Sequence, residues 1–414
     1  MNISTYTQRE FETIIVGGGI TGIGIFRDLC MHHTNTLILE RGKFMSQTSS
    51  RSSKLLHGGI RYLETLDFPL IKMALEEKNL WKKLTPEICT ERPFHLLNYK
   101  NSKHSKFFIK LGLEFYDFLS GFSNSSNYML SKKKTLELFP QLNSSDLQGA
   151  CVYYDVVMND ALLGNACLQD TLKNYQPYAH SKQFFKVNSV KREGQLWKVT
   201  GENVIQQSTE SFFAKYIILC AGPFTDQVMQ SWNINPKFPW KNIMRPSRGA
   251  HFWLDFHQLP ISNPIVLNTL DNRILFVVPH EKKILIGTTE FPNQDKFSQE
   301  LFNPCAHKAE LQYLIHQLTL FFPSLTLSEK DILDPFVGFR PLVNLHQNPE
   351  NKNTFSSSQL SRDHEILRPY KNFFILAGGK YTTFRVMGQE ITRIIVESKN
   401  KIYNPNKTKK KLLY

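Results

Sequence analysis

Six residues constrain this chain more than any others: Gly17-Gly18-Gly19-Ile20-Thr21-Gly22. They fit the pattern G-x-G-x-x-G, and their flanks decide what the pattern means. Phe11 to Val16 reads as a buried strand, and Ile20 to Met31 reads as a helix with apolar residues at Ile20, Ile23 and Phe26. Thr36 to Glu40 reads as the next strand. Strand, helix and strand together predict a βαβ unit and a parallel sheet. In such a unit Gly17 permits the tight turn, Gly19 lets the backbone approach a pyrophosphate, and Gly22 lets helix and strand pack closely. The helix start offers free N–H groups to the anion. Glu40 stands 18 residues after Gly22, where a carboxylate binds ribose hydroxyls. The spacing predicts dinucleotide binding but does not separate NAD from FAD, and a purely structural glycine turn is the bland alternative.

At 414 residues, with 41% hydrophobic and 21% charged residues, the chain has ordinary globular composition and room for two or three domains. No run approaches the roughly 18 apolar residues of a membrane-spanning helix. Met1 to Glu10 lacks the apolar stretch of a secretory signal, so a cytoplasmic location is expected. The six cysteines are scattered, with no CxxC pair and no metal-like cluster. They read as reduced thiols, and no metal is expected.

The net charge of +14 favours anionic partners: nucleic acid, acidic lipid or a phosphorylated substrate. The lysines concentrate in a tail, Lys401, Lys407, Lys409, Lys410 and Lys411, expected to be disordered. Others lie at Lys100, Lys103, Lys106, Lys110 and Lys132 to Lys134. No zinc-finger, RNP-like or helix-turn-helix pattern accompanies them, which argues against nucleic acid.

Further along, helices are predicted over 69–84, 160–174, 306–322 and 382–398, and an amphipathic aromatic helix over 107–122. Strands are predicted at 152–154, 185–199, 213–220 and 373–377. Ala250 to Glu290 alternates and is β-rich, Ser46 to Ser53 is a polar loop, and Asn344 to Ser361 is a long Asn/Ser-rich loop. No internal repeat occurs.

Thr48-Ser49-Ser50-Arg51-Ser52-Ser53-Lys54-Leu55-Leu56-His57-Gly58-Gly59-Ile60-Arg61-Tyr62-Leu63-Glu64 resembles the signature of FAD-dependent glycerol-3-phosphate dehydrogenases, which are D-amino-acid-oxidase-like flavoproteins. Matching segments follow in order. They are Ser247-Arg248-Gly249-Ala250-His251, Ile286-Gly287-Thr288-Thr289, Val337 to Leu342, Ser361-Arg362-Asp363-His364, and Ala377-Gly378-Gly379-Lys380-Tyr381-Thr382-Thr383-Phe384-Arg385. The resemblance runs from about Phe11 to about Glu397. The chain departs from the family at Thr21, where Asn is common, and at Leu162, where Arg is common. Family members often carry a further helical C-terminal domain, which this sequence is expected to lack.

The resemblance implies an α/β fold: an FAD-binding Rossmann-like domain with a second, antiparallel β-sheet substrate domain. The expected division is 1–75, 150–235 and 362–400 for FAD, 76–149 and 236–361 for substrate, and 401–414 as a basic tail. FAD is expected to contact Gly17, Gly19, Ile20, Thr21 and Gly22, with its ribose at Glu40. Thr48, Ser49 and Ser50 would lie near the pyrophosphate and ribityl chain. Lys54, Leu55, His57, Gly58 and Gly59 would run under the isoalloxazine. Ala221, Gly222, Gly379, Lys380 and Thr382 would complete the site.

The implied reaction is oxidation of sn-glycerol 3-phosphate to dihydroxyacetone phosphate, with hydride passing to flavin N5. A phosphate dianion calls for cations, and Arg61, Tyr62, Arg340 and Lys380 are the implied cluster. A neutral histidine suits removal of the hydroxyl proton. His251 is the first choice, with His57 as competitor and Lys380 able to share the role. The rival reading is another flavin oxidase of this fold acting on a 2-hydroxy acid or amino acid, whose carboxylate an arginine would also bind. A decayed, non-catalytic flavin-binding or membrane-docking protein is a third. Quinone is the expected electron acceptor and oxygen its rival. The stripe Phe107, Phe108, Leu111, Phe115, Phe118, Leu119 and Phe122, with nearby lysines, is expected either to dock peripherally on the inner face of the cell membrane or simply to face the core. A homodimer is the remaining partner expectation.

Overall fold

β1 (Glu10–Val16), α1 (Ile20–Met31) and β2 (Thr36–Leu39) form the predicted βαβ unit. They open a computed structural model that describes residues 9–63, 66–233, 243–290, 302–343 and 364–413. The chain divides into two units, the first from Met1–Ser50, Asp160–Pro246 and Arg340–Tyr414, the second from Arg51–Asn159 and Ser247–Phe339.

In the first unit the sheet order is β16 (His364–Tyr370), β17 (Phe373–Gly378), β10 (Thr209–Leu219), β1, β2 and β7 (Ala179–Lys182). The run from β17 to β7 is parallel, as the βαβ reading requires. β16 is antiparallel to β17, and the hairpin β8 (Phe185–Glu193) and β9 (Leu196–Asn203) joins β10 antiparallel. Ile14, Leu37, Leu39, Ile217, Leu219 and Ile375 form one core with Phe185, Val199 and Phe212 from that hairpin side. The unit's helices besides α1 are α5 (Asp160–Asn174), α6 (Thr225–Ser231) and α8 (Phe384–Glu397).

The C-terminal segment corrects an expectation. Residues 401–413 are ordered against the first unit, with Tyr403, Thr408 and Leu412 buried. Arg27 on α1, itself buried and paired with Asp170 at 3.2 Å, donates to the carbonyls of Thr408 and Lys410. The Tyr403 hydroxyl donates to Asp28 at 2.8 Å, and the Lys407 ammonium to the Met31 carbonyl at 2.9 Å. Buried charges need partners, and this segment supplies them. Its lysine content masked that role in the sequence.

The second unit holds β3 (Leu55–Leu56), β4 (Cys89–Tyr99), β5 (Tyr128–Ser131), β6 (Leu147–Met158), β11 (Ser247–Asp255), β12 (Ile265–Asn268), β13 (Ile274–His280), β14 (Lys283–Gly287) and β15 (Leu333–Arg340). Their order is β15-β11-β14-β13-β12-β4-β6-β3, with β5 on β6. The described pairings are antiparallel except β12 with β4. Its helices are α2 (Phe68–Leu84), α3 (Lys106–Leu119), α4 (Lys132–Leu138) and α7 (Lys308–Phe321). Both faces of the sheet are covered. Val152, Phe252, Leu254, Ile284 and Ile286 pack with Leu314 and Leu318 of α7. The alternating Cys151, Tyr153 and Leu285 pack with Leu75 of α2 and with Leu113 and Tyr116 of α3. Double coverage makes these strands nearly continuous apolar runs instead of clean alternations.

The unit boundaries differ from those expected. Residues 51–75 and 150–159 belong to the second unit, because β3 and β6 pair there and α2 packs there. The expected loop 344–361 lies outside the described residues.

α3 has two faces. Leu113 and Tyr116 are buried, whereas Phe107, Phe108, Leu111, Phe118 and Phe122 are each more than half exposed. A core-facing stripe alone therefore does not account for this aromatic segment.

Candidate active site

The glycine turn is shaped as a cradle. A Cβ on Gly22 would lie 2.0 Å from the Gly17 carbonyl oxygen, and one on Gly17 would lie 2.3 Å from that of Cys220. Both contacts are with backbone, so neither position tolerates a side chain without moving the loop. The N-cap of α1, Gly19, contributes no side-chain hydrogen bond to the first turn. The Ser49 hydroxyl instead accepts from the Ile20 amide at 2.9 Å. Ser49 sits in a short 3-10 turn, Thr48–Ser50, whose Ser50 hydroxyl donates to the Gln47 carbonyl. Thr21, in the first turn of α1, is half-buried.

Glu40 follows β2 directly. Its carboxylate accepts from the Gly18 amide and the Gly42 amide, each at 2.7 Å. Burial raises its pKa above the ordinary value, opposed by those two amides and by Arg41. A desolvated carboxylate aimed at the turn is the group a ribose hydroxyl pair would meet.

Three further segments belong to the same unit. Ala221 precedes a 3-10 turn, Gly222–Phe224, in which Gly222 has φ +54°. Gly378 and Gly379 leave β17 with φ of +79° and +86°, and His364 pairs in register with Gly378. After them Lys380 is half-buried, Thr382 is buried, and the Lys380 carbonyl accepts from the Thr383 amide. Arg340 ends β15, half-buried, its carbonyl accepting from the Leu342 amide at 2.9 Å.

In the second unit the signature segment folds into a fixed loop. Lys54 has φ +59°, its amide donates to the Ser52 hydroxyl at 3.0 Å, and its carbonyl accepts from Met158. Leu55 pairs with Val157. His57 is half-buried, and Gly58 and Gly59 are buried. The Gly58 amide faces Asp155, and a Cβ on Gly58 would lie 2.4 Å from both Leu75 and the Tyr116 hydroxyl. Ile60–Leu63 forms a 3-10 turn carrying Arg61 and Tyr62, whose side chains lie outside the described residues.

His251 lies on β11 and is 3% exposed. Its ring stacks on Phe336 with centroids 4.9 Å apart and planes 7° off parallel. Gly287, its cross-strand partner, leaves room for the ring: a Cβ there would lie 2.1 Å from it. His251 Nε2 is 2.9 Å from the Ser53 hydroxyl. The Lys54 ammonium lies 5.5 Å from the centroid of the same Phe336 ring. Residues far apart in sequence, Ser53, Lys54, His251 and Phe336, thus form one cluster.

Ser53 and Phe336 were not among the expected site residues. Ser53 stands inside the signature, but nothing in its spacing points to a histidine almost two hundred positions away. Phe336 shows no polar signal at all. A buried network beneath the glycine pair was also invisible in the sequence. Lys78 reaches Asp155 at 3.1 Å, and the Tyr116 hydroxyl donates to Asp155 at 3.0 Å. Likewise Arg248 forms a forked pair with Glu310, at 2.9 and 2.7 Å, three positions before His251.

A Rossmann-like glycine cradle, an acidic group after β2 and a second, largely antiparallel sheet unit fit one family, whose sequence pattern matches residues 12–394. The chain belongs to the FAD-dependent oxidoreductases. It is 30% identical over 98% of its length to the mitochondrial glycerol-3-phosphate dehydrogenase of Schizosaccharomyces pombe, spanning 64% of that protein. It is 28% identical over 98% of its length to the aerobic glycerol-3-phosphate dehydrogenase of Bacillus subtilis, spanning 71% of it. The corresponding mouse mitochondrial protein is 31% identical over 96% of this chain, which spans 54% of it.

Among solved structures, glycerol-3-phosphate dehydrogenase from Bacillus halodurans, complexed with FAD, matches with a TM-score of 0.75 at 24% identity. That match covers 96% of this chain and 66% of the other. An L-alpha-glycerophosphate oxidase from Mycoplasma pneumoniae with FAD bound matches with a TM-score of 0.67 at 18% identity, over 98% and 99% of the two chains. FAD is this family's cofactor, and the present residues fit it. The backbone contacts at Gly17 and Gly22 hold the turn tightly against the start of α1, the end of a helix that suits a pyrophosphate, and Glu40 supplies the ribose acceptor. Among the described residues no group of acidic, histidine or cysteine side chains could hold a metal ion.

Proposed function

We propose that this oxidoreductase converts sn-glycerol 3-phosphate to dihydroxyacetone phosphate. The observation that carries the reading is the match to relatives named glycerol-3-phosphate dehydrogenase along nearly the whole chain, with a histidine held rigidly at the matching segment. When bound, FAD supplies a two-electron acceptor for the hydride leaving the alcohol carbon. The chain supplies the rest. The family resemblance assigns the phosphate dianion to Arg340 and Lys380, with Arg61 and Tyr62, since an arginine fork and a lysine point charge match its oxygens. His251 is the base that drives removal of the hydroxyl proton, being an imidazole suited to that role near neutral pH.

Turnover with an artificial acceptor tests this across sn-glycerol 3-phosphate, glycerol, lactate, 2-hydroxyglutarate and D-alanine. The phosphate ester alone is expected to be oxidised. Use of D-alanine or a hydroxy acid in its place would move the chain to the amino- or hydroxy-acid branch of the fold.

The same proposal gives quinone as electron acceptor and an anionic bilayer as docking partner, supported by the outward face of α3. Its exposed phenylalanines form a ridge, and 14 residues at ~1.5 Å each make a helix of about 21 Å, too short to cross a core of about 30 Å. No described helix is long and apolar enough to cross a membrane. A cationic side flanks the ridge. Lys103 and Lys132 to Lys134 are exposed, and Lys132 acts electrostatically on Asp146, which pairs with Lys100 at 2.8 Å. The Lys106 ammonium bonds the Leu130 and Gln148 carbonyls, tying the start of α3 to this lysine-bearing strand end. Apolar ridge and basic flank suit an interfacial helix on acidic lipid, each lysine contributing about 1 kcal/mol. Liposomes containing phosphatidylglycerol should float the protein at low salt, and Phe107→Glu with Phe118→Glu should abolish flotation. Loss of a dimer in that variant, without flotation of the parent, would instead assign the ridge to a second copy. Stoichiometric peroxide formation in air would make oxygen the acceptor.

A further inference from the structure

The base proposed above is almost wholly buried, while its hydrogen-bond partner is not. His251 is 3% exposed, its ring held between Phe336 and the Gly287 backbone. Ser53, at 2.9 Å from Nε2, is only half-buried. An imidazole clamped this way cannot swing to meet a substrate, because stacking and the Gly287 contact fix its plane. A proton from outside meets the serine oxygen first.

We infer that Ser53 is the residue that receives the substrate hydroxyl proton, relaying its own proton to His251 Nε2. This rests on the reading that the chain oxidises a secondary alcohol. In the step, the substrate O–H bond breaks and its proton bonds to Ser53 Oγ. The original Ser53 O–H proton bonds to His251 Nε2, which becomes imidazolium. The carbon-bound hydrogen leaves with its electron pair to the bound flavin, the two-electron oxidant, and the carbon–oxygen bond becomes double. Ser53 ends as it began, a neutral hydroxyl. The relay requires the tautomer with Nε2 unprotonated, so that it accepts from serine across the 2.9 Å contact.

The loop around Ser53 is built to hold that oxygen. Ser52 caps the Lys54 amide, Lys54 sits in the left-handed region, and its carbonyl accepts from Met158. On the other side a Cβ on Gly338 would lie 2.2 Å from the Arg51 carbonyl, so β15 backbone packs directly on the loop. Placement within a hydrogen bond of a fixed base is what general-base transfer needs.

Two measurements test the relay. In the isotopically labelled holoenzyme, the His251 imidazole resonances, assigned with His251→Gln, are titrated with and without Ser53→Ala. Loss of the hydroxyl donor should shift the Nε2 signal and the titration midpoint, with flavin still bound. In rapid mixing with sn-glycerol 3-phosphate, Ser53→Ala should slow flavin reduction by about 10²-fold or more. Ser53→Thr, which keeps the hydroxyl, should recover to within about tenfold. Native reduction rates and an unshifted His251 titration in Ser53→Ala would overturn the relay. Absence of flavin reduction in the unaltered protein would instead refute the substrate reading, and the titration would still decide whether Ser53 governs His251.

Discussion

Glu40→Gln should separate cofactor affinity from stability. The carboxylate holds two amides, Gly18 and Gly42, each at 2.7 Å. A glutamine oxygen keeps one, and its NH₂ group confronts the other. The lost amide bond is internal to the protein and weighs on its stability with or without FAD. A ribose hydroxyl on the carboxylate is a charge-assisted bond of about 1.5–3 kcal/mol, whose loss should raise the FAD dissociation constant about 10- to 150-fold. Stability of the FAD-free protein should move differently. Burial raises the Glu40 pKa despite the two amides, so the fold prefers the protonated carboxyl. That contribution is complete below the ordinary value of about 4.3 and is lost as pH rises through the raised folded value. Glutamine mimics the protonated form, so the variant's stability should fall less between about pH 4 and 7 than that of the parent. FAD titration followed by flavin fluorescence, and urea unfolding of the stripped protein across that range, give both numbers. An unchanged dissociation constant with an unchanged pH slope would refute the role assigned to Glu40.

Other substitutions probe the frame around the site. Gly22→Ala places a methyl against the Gly17 carbonyl, at 2.0 Å without relaxation, and should yield protein with no bound flavin by absorbance. Arg248→Met strands the buried Glu310 and should cost about 3–5 kcal/mol in urea unfolding, while Arg248→Met with Glu310→Leu should recover most of it. Tyr403→Phe removes the 2.8 Å bond to buried Asp28 and should lower the melting temperature by about 3–10 °C. A freely disordered tail would leave that temperature unchanged.

Much of the first unit was legible because local pattern and tertiary role coincide there. The glycine turn, α1 and β2 lie within one residue of the expected bounds. α5 begins and ends where the period places it, at Asp160 and Asn174. β4 was not anticipated: its buried and exposed positions do not alternate, and Arg92-Pro93 interrupts it. The sequence pattern shows only three residues of β6, which spans 12, because both sheet faces are covered and the alternation disappears. The C-terminal segment departs from expectation for the converse reason. Its composition is that of a solvated tail, but Asp28, Arg27 and Asp170 lie buried on neighbouring helices and draw its polar groups inward. At the site, the residue types and motifs pointed to His251, whereas Ser53 and Phe336 emerge only from strand pairing that sets β11 beside β14 and β15.

Single-turnover reduction identifies the reducing substrate most directly. Flavin-loaded protein, mixed without oxygen with sn-glycerol 3-phosphate, should bleach completely with one equivalent of substrate and yield one dihydroxyacetone phosphate. The same protein should stay yellow with glycerol, lactate or D-alanine. Bleaching by an amino acid or hydroxy acid while the phosphate ester leaves the flavin oxidised would contradict the account.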